Sequence, residues 1–172
     1  MSEHETWRTR FYWKSIGGLL IEEFRAIPRN LRCNISNRDL DGIIVLGEPD
    51  AIQHGGTFDF EGRDLIIIQT KPNRLGMGLM GQALFSKEIM KRFKPKSMKV
   101  IAICSRTDLE LNKICATYNI EIVVITNESE DEGRSIRIED HSTAEQIVAA
   151  NRLPAVSWHA CEGYITWMKV PP

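Results

Sequence analysis

Leu65-Ile-Ile-Ile-Gln69-Thr70-Lys71-Pro72 is the stretch that decides how this chain folds. Its apolar, mostly β-branched opening suits a strand covered on both faces. Gln69 and Lys71 interrupt the apolar run, and Pro72 stops it. Residues i and i+2 of a strand share a face. The reading therefore sets Gln69 and Lys71 side by side at the end of an otherwise buried strand. A buried carboxamide or ammonium costs several kcal/mol unless it is partnered, so two of them together mark a site.

Downstream of that strand, Leu79 to Phe93 reads as a helix and Met98 to Cys104 as an apolar strand. Thr107 or Asp108 caps a helix running to about Tyr118, and Ile120 to Ile125 is another apolar strand. Upstream, Leu40 to Leu46 is a β-branched run, and residues 48–57 carry turn chemistry. Phe58 to Phe60 is expected to pair across Glu61-Gly62 with Leu65 to Lys71 as a hairpin. Leu31 to Ile35 alternates like a short strand. Thr6 to Ile27 reads as one helix closed by Pro28, with Tyr12, Ile16, Leu19, Leu20 and Ile27 in one sector and Glu23 among them. The predicted order is αβββαβαβ. A meander followed by alternating units gives a central mixed β-sheet flanked by helices, in the α/β class.

The chain has 172 residues, a length that suits one domain with a proper core. The reading divides it into an α/β core over 1–126 and an extension over 127–172 packed on the same domain. The extension holds an acidic loop (Asn127-Glu-Ser-Glu-Asp-Glu-Gly133), a helix over Thr143 to Asn151 and a Trp-rich hairpin over Ala155 to Val170. Lys plus Arg is 22 and Asp plus Glu is 23, which excludes a bulk polycation but not a local basic patch. No apolar run approaches the roughly 18 residues of a membrane span. The first residues, Met1-Ser-Glu-His-Glu-Thr6, are too polar and acidic for a secretory signal. The expectation is a cytoplasmic protein. Cys33, Cys104, Cys115 and Cys161 form no C-x-x-C pair or zinc spacing and read as buried free thiols.

Three features converge on one chemistry. Asp39-Leu-Asp41 opens an apolar strand, Gln69 and Lys71 close another, and Glu23 falls on the apolar face of the first helix, with Glu22 as its neighbour. Asp41, Glu23, the Gln69 carboxamide and the Thr70 carbonyl would make an oxygen-rich site suited to Mg²⁺ or Mn²⁺ rather than zinc. A metal there would polarise a phosphodiester, with Lys71 orienting the water or offsetting transition-state charge. Each residue also has a plain structural reading: a surface glutamate, turn aspartates, a solvated strand end.

This order of elements resembles the PD-(D/E)XK nuclease superfamily, and Gln69-Thr70-Lys71 is most similar to its Mrr-type restriction-endonuclease branch. Holliday-junction resolvases are similar in having a first-helix glutamate. The resemblance covers roughly residues 14–126 and implies a restriction-endonuclease-like fold and metal-dependent cleavage of nucleic acid, DNA before RNA. It matches Asp41 to the motif aspartate, Gln69 to the variable position, Lys71 to the lysine and Glu23 (or Glu22) to the helix acid. A homodimer would suit an enzyme that cuts two strands.

Residues 87–99 hold Lys87, Lys91, Arg92, Lys94, Lys96 and Lys99 against Glu88. With Arg74 upstream, they are candidates for gripping a phosphate backbone, or else a solvated helix end. Two other functions stay open. One is an inactive nuclease fold that binds nucleic acid or a protein. The other is a small dinucleotide-binding domain, from Gly76-Met-Gly78-Leu-Met-Gly81, which matches G-x-G-x-x-G but follows the strand too late for the usual tight turn.

Overall fold

The computed structural model describes residues 3–126 and three further strands at Ile136–Glu139, His159–Cys161 and Tyr164–Trp167. Helix α1 (Glu3–Ile16) leads into β1 (Leu19–Ile27), and a 3-10 turn at Leu31–Cys33 precedes β2 (Arg38–Val45) and β3 (Ala51–His54). Then come β4 (Asp64–Thr70), α2 (Met77–Met90) with a 3-10 turn at Lys91–Phe93, β5 (Ser97–Cys104), α3 (Leu109–Thr117) and β6 (Ile120–Ile125). Strands β7 (Ile136–Glu139), β8 (His159–Cys161) and β9 (Tyr164–Trp167) follow.

All of these strands join one mixed sheet in the order β3-β1-β2-β4-β5-β6-β7-β9-β8. β4, β5 and β6 run parallel, whereas β2 is antiparallel to both β1 and β4. The six strands from β3 to β6 form the centre. Tyr12, Trp7, Phe11 and Ile16 of α1 pack on one face, over Ile44, Ile66, Ile68, Ile101, Ile103 and Val123. The other face is covered by Leu79, Ala83 and Met90 of α2 and Leu111 and Cys115 of α3. Apolar strands covered on both sides are what parallel βαβ units require.

The α/β class and the mixed sheet agree with the sequence reading, and so do β2, β4, β5, β6, α2 and α3 within a few residues at their ends. The first segment differs. The single helix expected over Thr6 to Ile27 stops at Ile16, and Leu19–Ile27 is a strand. Gly17 and Gly18 cause the break. Both have left-handed backbone, φ +80° and +88°, which glycine adopts without a Cβ penalty. Gly17 N–H donates to Trp13 O at 2.9 Å, a helix-end bond, and a Cβ on Gly18 would lie 2.6 Å from Val45 O.

Two smaller expectations also fail. Leu31 to Ile35 is not a strand but a 3-10 turn, capped by the Asn30 side chain and closed by left-handed Asn34. Phe58 to Phe60 forms no strand; Phe60 turns inward to meet Phe24 and Phe93 at centroid distances of 5.0 and 5.6 Å. The predicted acidic loop and the helix over 143–151 lie outside the described residues. β8 and β9 do pair antiparallel, as a hairpin would. No described helix is long and apolar enough to cross a membrane.

Cys33 departs from the expectation of a buried thiol, since the 3-10 turn exposes it, whereas Cys104 and Cys115 are buried as expected. Burial pushes the Cys115 thiol up to about 11, which suppresses the reactive thiolate. Under a thiol-alkylating reagent at mildly alkaline pH, Cys33 is expected to react in the native protein, with Cys104 and Cys115 reacting only after unfolding in urea. Peptide mapping reads the order. Native labelling of Cys115 at the rate of Cys33 would contradict this packing.

Candidate active site

β4 carries the polar pair to the carboxyl end of the parallel strands. Its ladder with β5 runs to Thr70 opposite Ile103, and Lys71 N–H donates to Ile103 O at 2.9 Å. Lys71 thus stands one residue past the strand. Its ammonium lies 2.8 Å from Glu5 Oε1 on α1. Thr70 is fully buried on the same face, its hydroxyl 2.9 Å from that of Thr9. The stripe Glu5, Arg8, Thr9 and Tyr12 is the inward side of α1, and all four residues are buried. This i, i+3, i+4, i+7 spacing is the helical one.

Asp41 joins the cluster from β2, where its Oδ2 accepts the Thr70 N–H at 2.8 Å. A paired irregularity places it there. β1 and β2 pair as Glu22–Gly42 and Phe24–Leu40, with Glu23 and Asp41 between. Glu23 has φ +53°, in the left-handed region. Before it, Ile21 faces α2; after it, so do Phe24 and Ala26, and the alternation has slipped by one. On β2, Leu40 and Ile43 both face α2 while Gly42 faces Thr9 of α1. Such an irregularity re-aims side chains as a β-bulge does at the edge of a site, although the register itself shifts only further on, between Arg25 and Ile27.

Burial pushes the Asp41 carboxyl above its ordinary range. The Thr70 N–H bond and the Lys71 charge oppose that shift, while the Glu5 carboxylate adds to it. Two carboxylates and one ammonium therefore meet at the strand end in one partly buried cluster, with Lys71 still half-exposed. Within it, charges act more strongly on one another than in water.

Other expected members sit elsewhere. Gln69 is buried on the opposite face, where its Nε2 donates to Ser86 Oγ of α2 at 2.9 Å. Alternation does put Thr70 and Gln69 on opposite faces; Lys71 escapes it because β4 ends first and its long stem reaches around to α1. Glu23 is exposed on β1 and is not a helix residue, so it does not serve as the helix acid. Glu22 is fully buried but belongs to another cluster. Arg10 grips it through Nε at 2.8 Å and Nη2 at 2.9 Å, and His54 Nε2 lies 3.1 Å away.

The basic segment lies at the far end of the sheet. Lys96 and Ser97 meet Asp64, the first residue of β4, at 3.2 and 2.6 Å. At about 3.3 Å per residue, that is roughly 20 Å from Lys71. Lys91 pairs with Glu88, Lys94 with Glu61 and Lys99 with Glu121. Lys87 donates to Tyr118 O, and Arg92 is exposed beside Lys91 in the same 3-10 turn. Only Arg74 of the expected cations is at the site's end, paired with Asp108 at 2.9 Å. The glycine motif opens α2, but Gly76, Gly78 and Gly81 lack left-handed backbone, and a Cβ at Gly78 or Gly81 would meet open space. They make neither the left-handed tight turn nor the close helix–strand packing that the dinucleotide fingerprint assigns to two of its glycines.

Glu5 is the member of this cluster that sequence reasoning missed. Once α1 ends at Gly17, Glu3 and Glu5 are the only acids on it, so the double glycine was the signal. Among the described residues no group of three or more Asp, Glu, His or Cys side chains is arranged to hold a metal ion. Mg²⁺ needs fewer: one or two carboxylates suffice, completed by water and substrate phosphate. The cluster has two carboxylates, Asp41 and Glu5.

Replacing Arg10 by Met would take the two-pronged partner from the buried Glu22 carboxylate and leave it His54, so Arg10→Met is expected to cost roughly 2–4 kcal/mol in urea unfolding. Glu22→Gln, which leaves no buried charge, should cost about half as much. Equal costs would contradict the geometry of the pair. Compared with known proteins, the chain matches no family model, no curated protein and no solved structure.

Proposed function

We propose that Glu5, Asp41 and Lys71 form the active centre of a divalent-metal-dependent nuclease of the PD-(D/E)XK kind, acting on DNA in preference to RNA. The convergence of these three side chains at the end of β4 carries the reading. The element order supports it. With β3 taken as an addition at the sheet edge, α1-β1-β2-β4-α2-β5-α3-β6 is αβββαβαβ. That is the order expected of a restriction-endonuclease-like core, with β1 now supplied by Leu19–Ile27.

Asp41 and Glu5 would hold Mg²⁺ or Mn²⁺, with the Thr70 backbone alongside. The bound ion would supply Lewis-acid polarisation of a phosphodiester. Lys71 places a positive charge where negative charge develops on the attacked phosphate. Glu5 orients that ammonium, and Thr9 with Thr70 fixes the helix against the strand end. Gln69 supports the site indirectly, by joining β4 to α2 through Ser86.

A second reading is a non-cleaving relative that binds nucleic acid. The turn of Gln69 away from the cluster favours it, because its carboxamide oxygen is lost from the set of possible metal ligands. The two readings part in a cleavage assay on labelled single-stranded, duplex, flapped and junction DNA and on RNA, with Mg²⁺, Mn²⁺ or EDTA. The expected result is metal-dependent cutting that falls at least about 100-fold in Asp41→Ala, Lys71→Ala and Glu5→Gln, while Glu23→Ala cuts like the parent. Salt-sensitive binding without cutting would support the second reading. Cutting that survives Asp41→Ala and Lys71→Ala would overturn the assigned site.

A further inference from the structure

The turn joining β1 to β2, residues 28–38, carries Arg29, Arg32 and Arg38 and no acid, and all of it is exposed. None of these arginines pairs with a carboxylate among the described residues. Lys91, Lys94, Lys96 and Lys99 of the basic segment each do. The turn holds its shape by its own hydrogen bonds. Asn30 N–H donates to Ile35 O at 2.9 Å, Ile35 N–H to Asn30 O at 2.8 Å, and the Asn30 side chain accepts from Cys33 N–H. Because β2 runs antiparallel to β4, the turn stands at the same end of the sheet as Lys71. Arg38 also borders a cleft of about 510 Å³ against α2, which Ile27, Leu40, Gln69, Gln82 and Phe85 line with it. Phe85 is 65% exposed, and Gln82 and Arg38 are exposed, so a ligand meets an aromatic ring, a carboxamide and a guanidinium. Asp39, the one carboxylate on the lining, is already held by Arg25 at 2.9 Å and by the Asn37 amide. Cleft and cluster occupy the same strand ends. Asp39 and Asp41 are two residues apart on β2, as are Gln69 and Lys71 at the end of β4, roughly 7 Å in each case.

Cations without partners beside an open aromatic ring are the two parts of a surface for single-stranded nucleic acid. The cations track phosphates, and a base of any identity can stack on the ring. A carboxamide offers a base edge both donors and an acceptor, and a cleft of this size is in the range that takes a small ligand. A base enters it only when freed from its complement. We propose that the 28–38 turn and this cleft bind single-stranded DNA, with Arg29, Arg32 and Arg38 on phosphates and one unstacked base against Phe85, its edge toward Gln82. The choice of nucleic acid rests on the nuclease reading, whose cluster lies at the same strand ends. The substrate class is then a single strand or the unpaired arm of a flap. Leu31 and Ile35 are exposed on the same turn, and arginines beside apolar side chains also suit an anionic membrane, so the test includes one.

The test is fluorescence anisotropy in EDTA across a salt series, with a labelled oligothymidine strand and an abasic strand of equal length. Thermal melts establish folding; every substituted side chain is exposed, so the variants should melt like the parent. Arg29→Ala with Arg32→Ala should weaken binding to both strands at least about tenfold and lower the salt slope by about 1.4, the value for two phosphates of a single strand. Phe85→Ala should weaken binding to oligothymidine about tenfold and leave the abasic strand unchanged. Lys94→Ala with Lys96→Ala, at the far end of the sheet, should bind like the parent. Loss in the arginine variant alone overturns the base site. The whole surface is overturned if the arginine variant and Phe85→Ala both bind as the parent does, or if the lysine variant carries the loss. It is overturned too if the parent binds phosphatidylserine vesicles and neither strand. If these variants lose binding as expected but the parent never cuts, the surface stands and the nuclease reading fails. If the parent cuts and the variants bind unchanged, the nuclease reading stands and the surface fails.

Discussion

Lys71 Nζ and Glu5 Oε1, 2.8 Å apart, join the first helix to the end of the central strand, and the geometry of the site follows from that contact. The helix lies on a face made of Ile and Val side chains. An all-apolar stripe would let it slide, since dispersion contacts are non-directional. Glu5 and Thr9 remove that freedom. Each finds its partner, Lys71 or Thr70, only where β4 runs out. The polar half of the stripe therefore sets the helix position, and the apolar half, led by Tyr12, supplies the burial.

The strands contribute the opposite kind of device. Regular pairing between β1 and β2 would leave Asp41 as one more alternating residue. The left-handed backbone at Glu23 and the matching slip at Leu40 to Gly42 take it out of the alternation. Its carboxylate then satisfies the Thr70 N–H, at the point where β2 and β4 cease to pair. A non-glycine residue in that backbone region costs on the order of 1 kcal/mol. Such a conformation persists where surrounding packing determines it, here the Phe24, Phe60 and Phe93 cluster just beyond.

Much of this was legible before any coordinates. Long apolar runs with clear punctuation, such as Ile120 to Ile125 and Leu65 to Pro72, stand alone as strands. Asp41 and Lys71 were legible because polar side chains at the ends of buried strands need a reason. Glu5 was not, because half of its helical stripe is polar and the apolar periodicity is correspondingly weak. Leu19–Ile27 was misread for a related reason: its bulge breaks the period-2 pattern, and the remaining spacing imitates a helix. The side of the sheet taken by Gln69 depends on where β4 stops and how far a lysine stem reaches. Strand periodicity cannot supply either. The far-end placement of the basic segment follows from α2 running back along the sheet, which is a property of topology and not of local charge.

The central claim is that Glu5 and Asp41 together hold a divalent cation beside Lys71. The most direct measurement is a crystal structure grown with Mn²⁺, with data collected at a wavelength where manganese scatters anomalously. The account predicts one anomalous peak in contact with both carboxylates, with Lys71 released from Glu5 or displaced along it. A peak elsewhere would contradict it, as would no peak with Glu5 still on Lys71 and Asp41 still on the Thr70 amide.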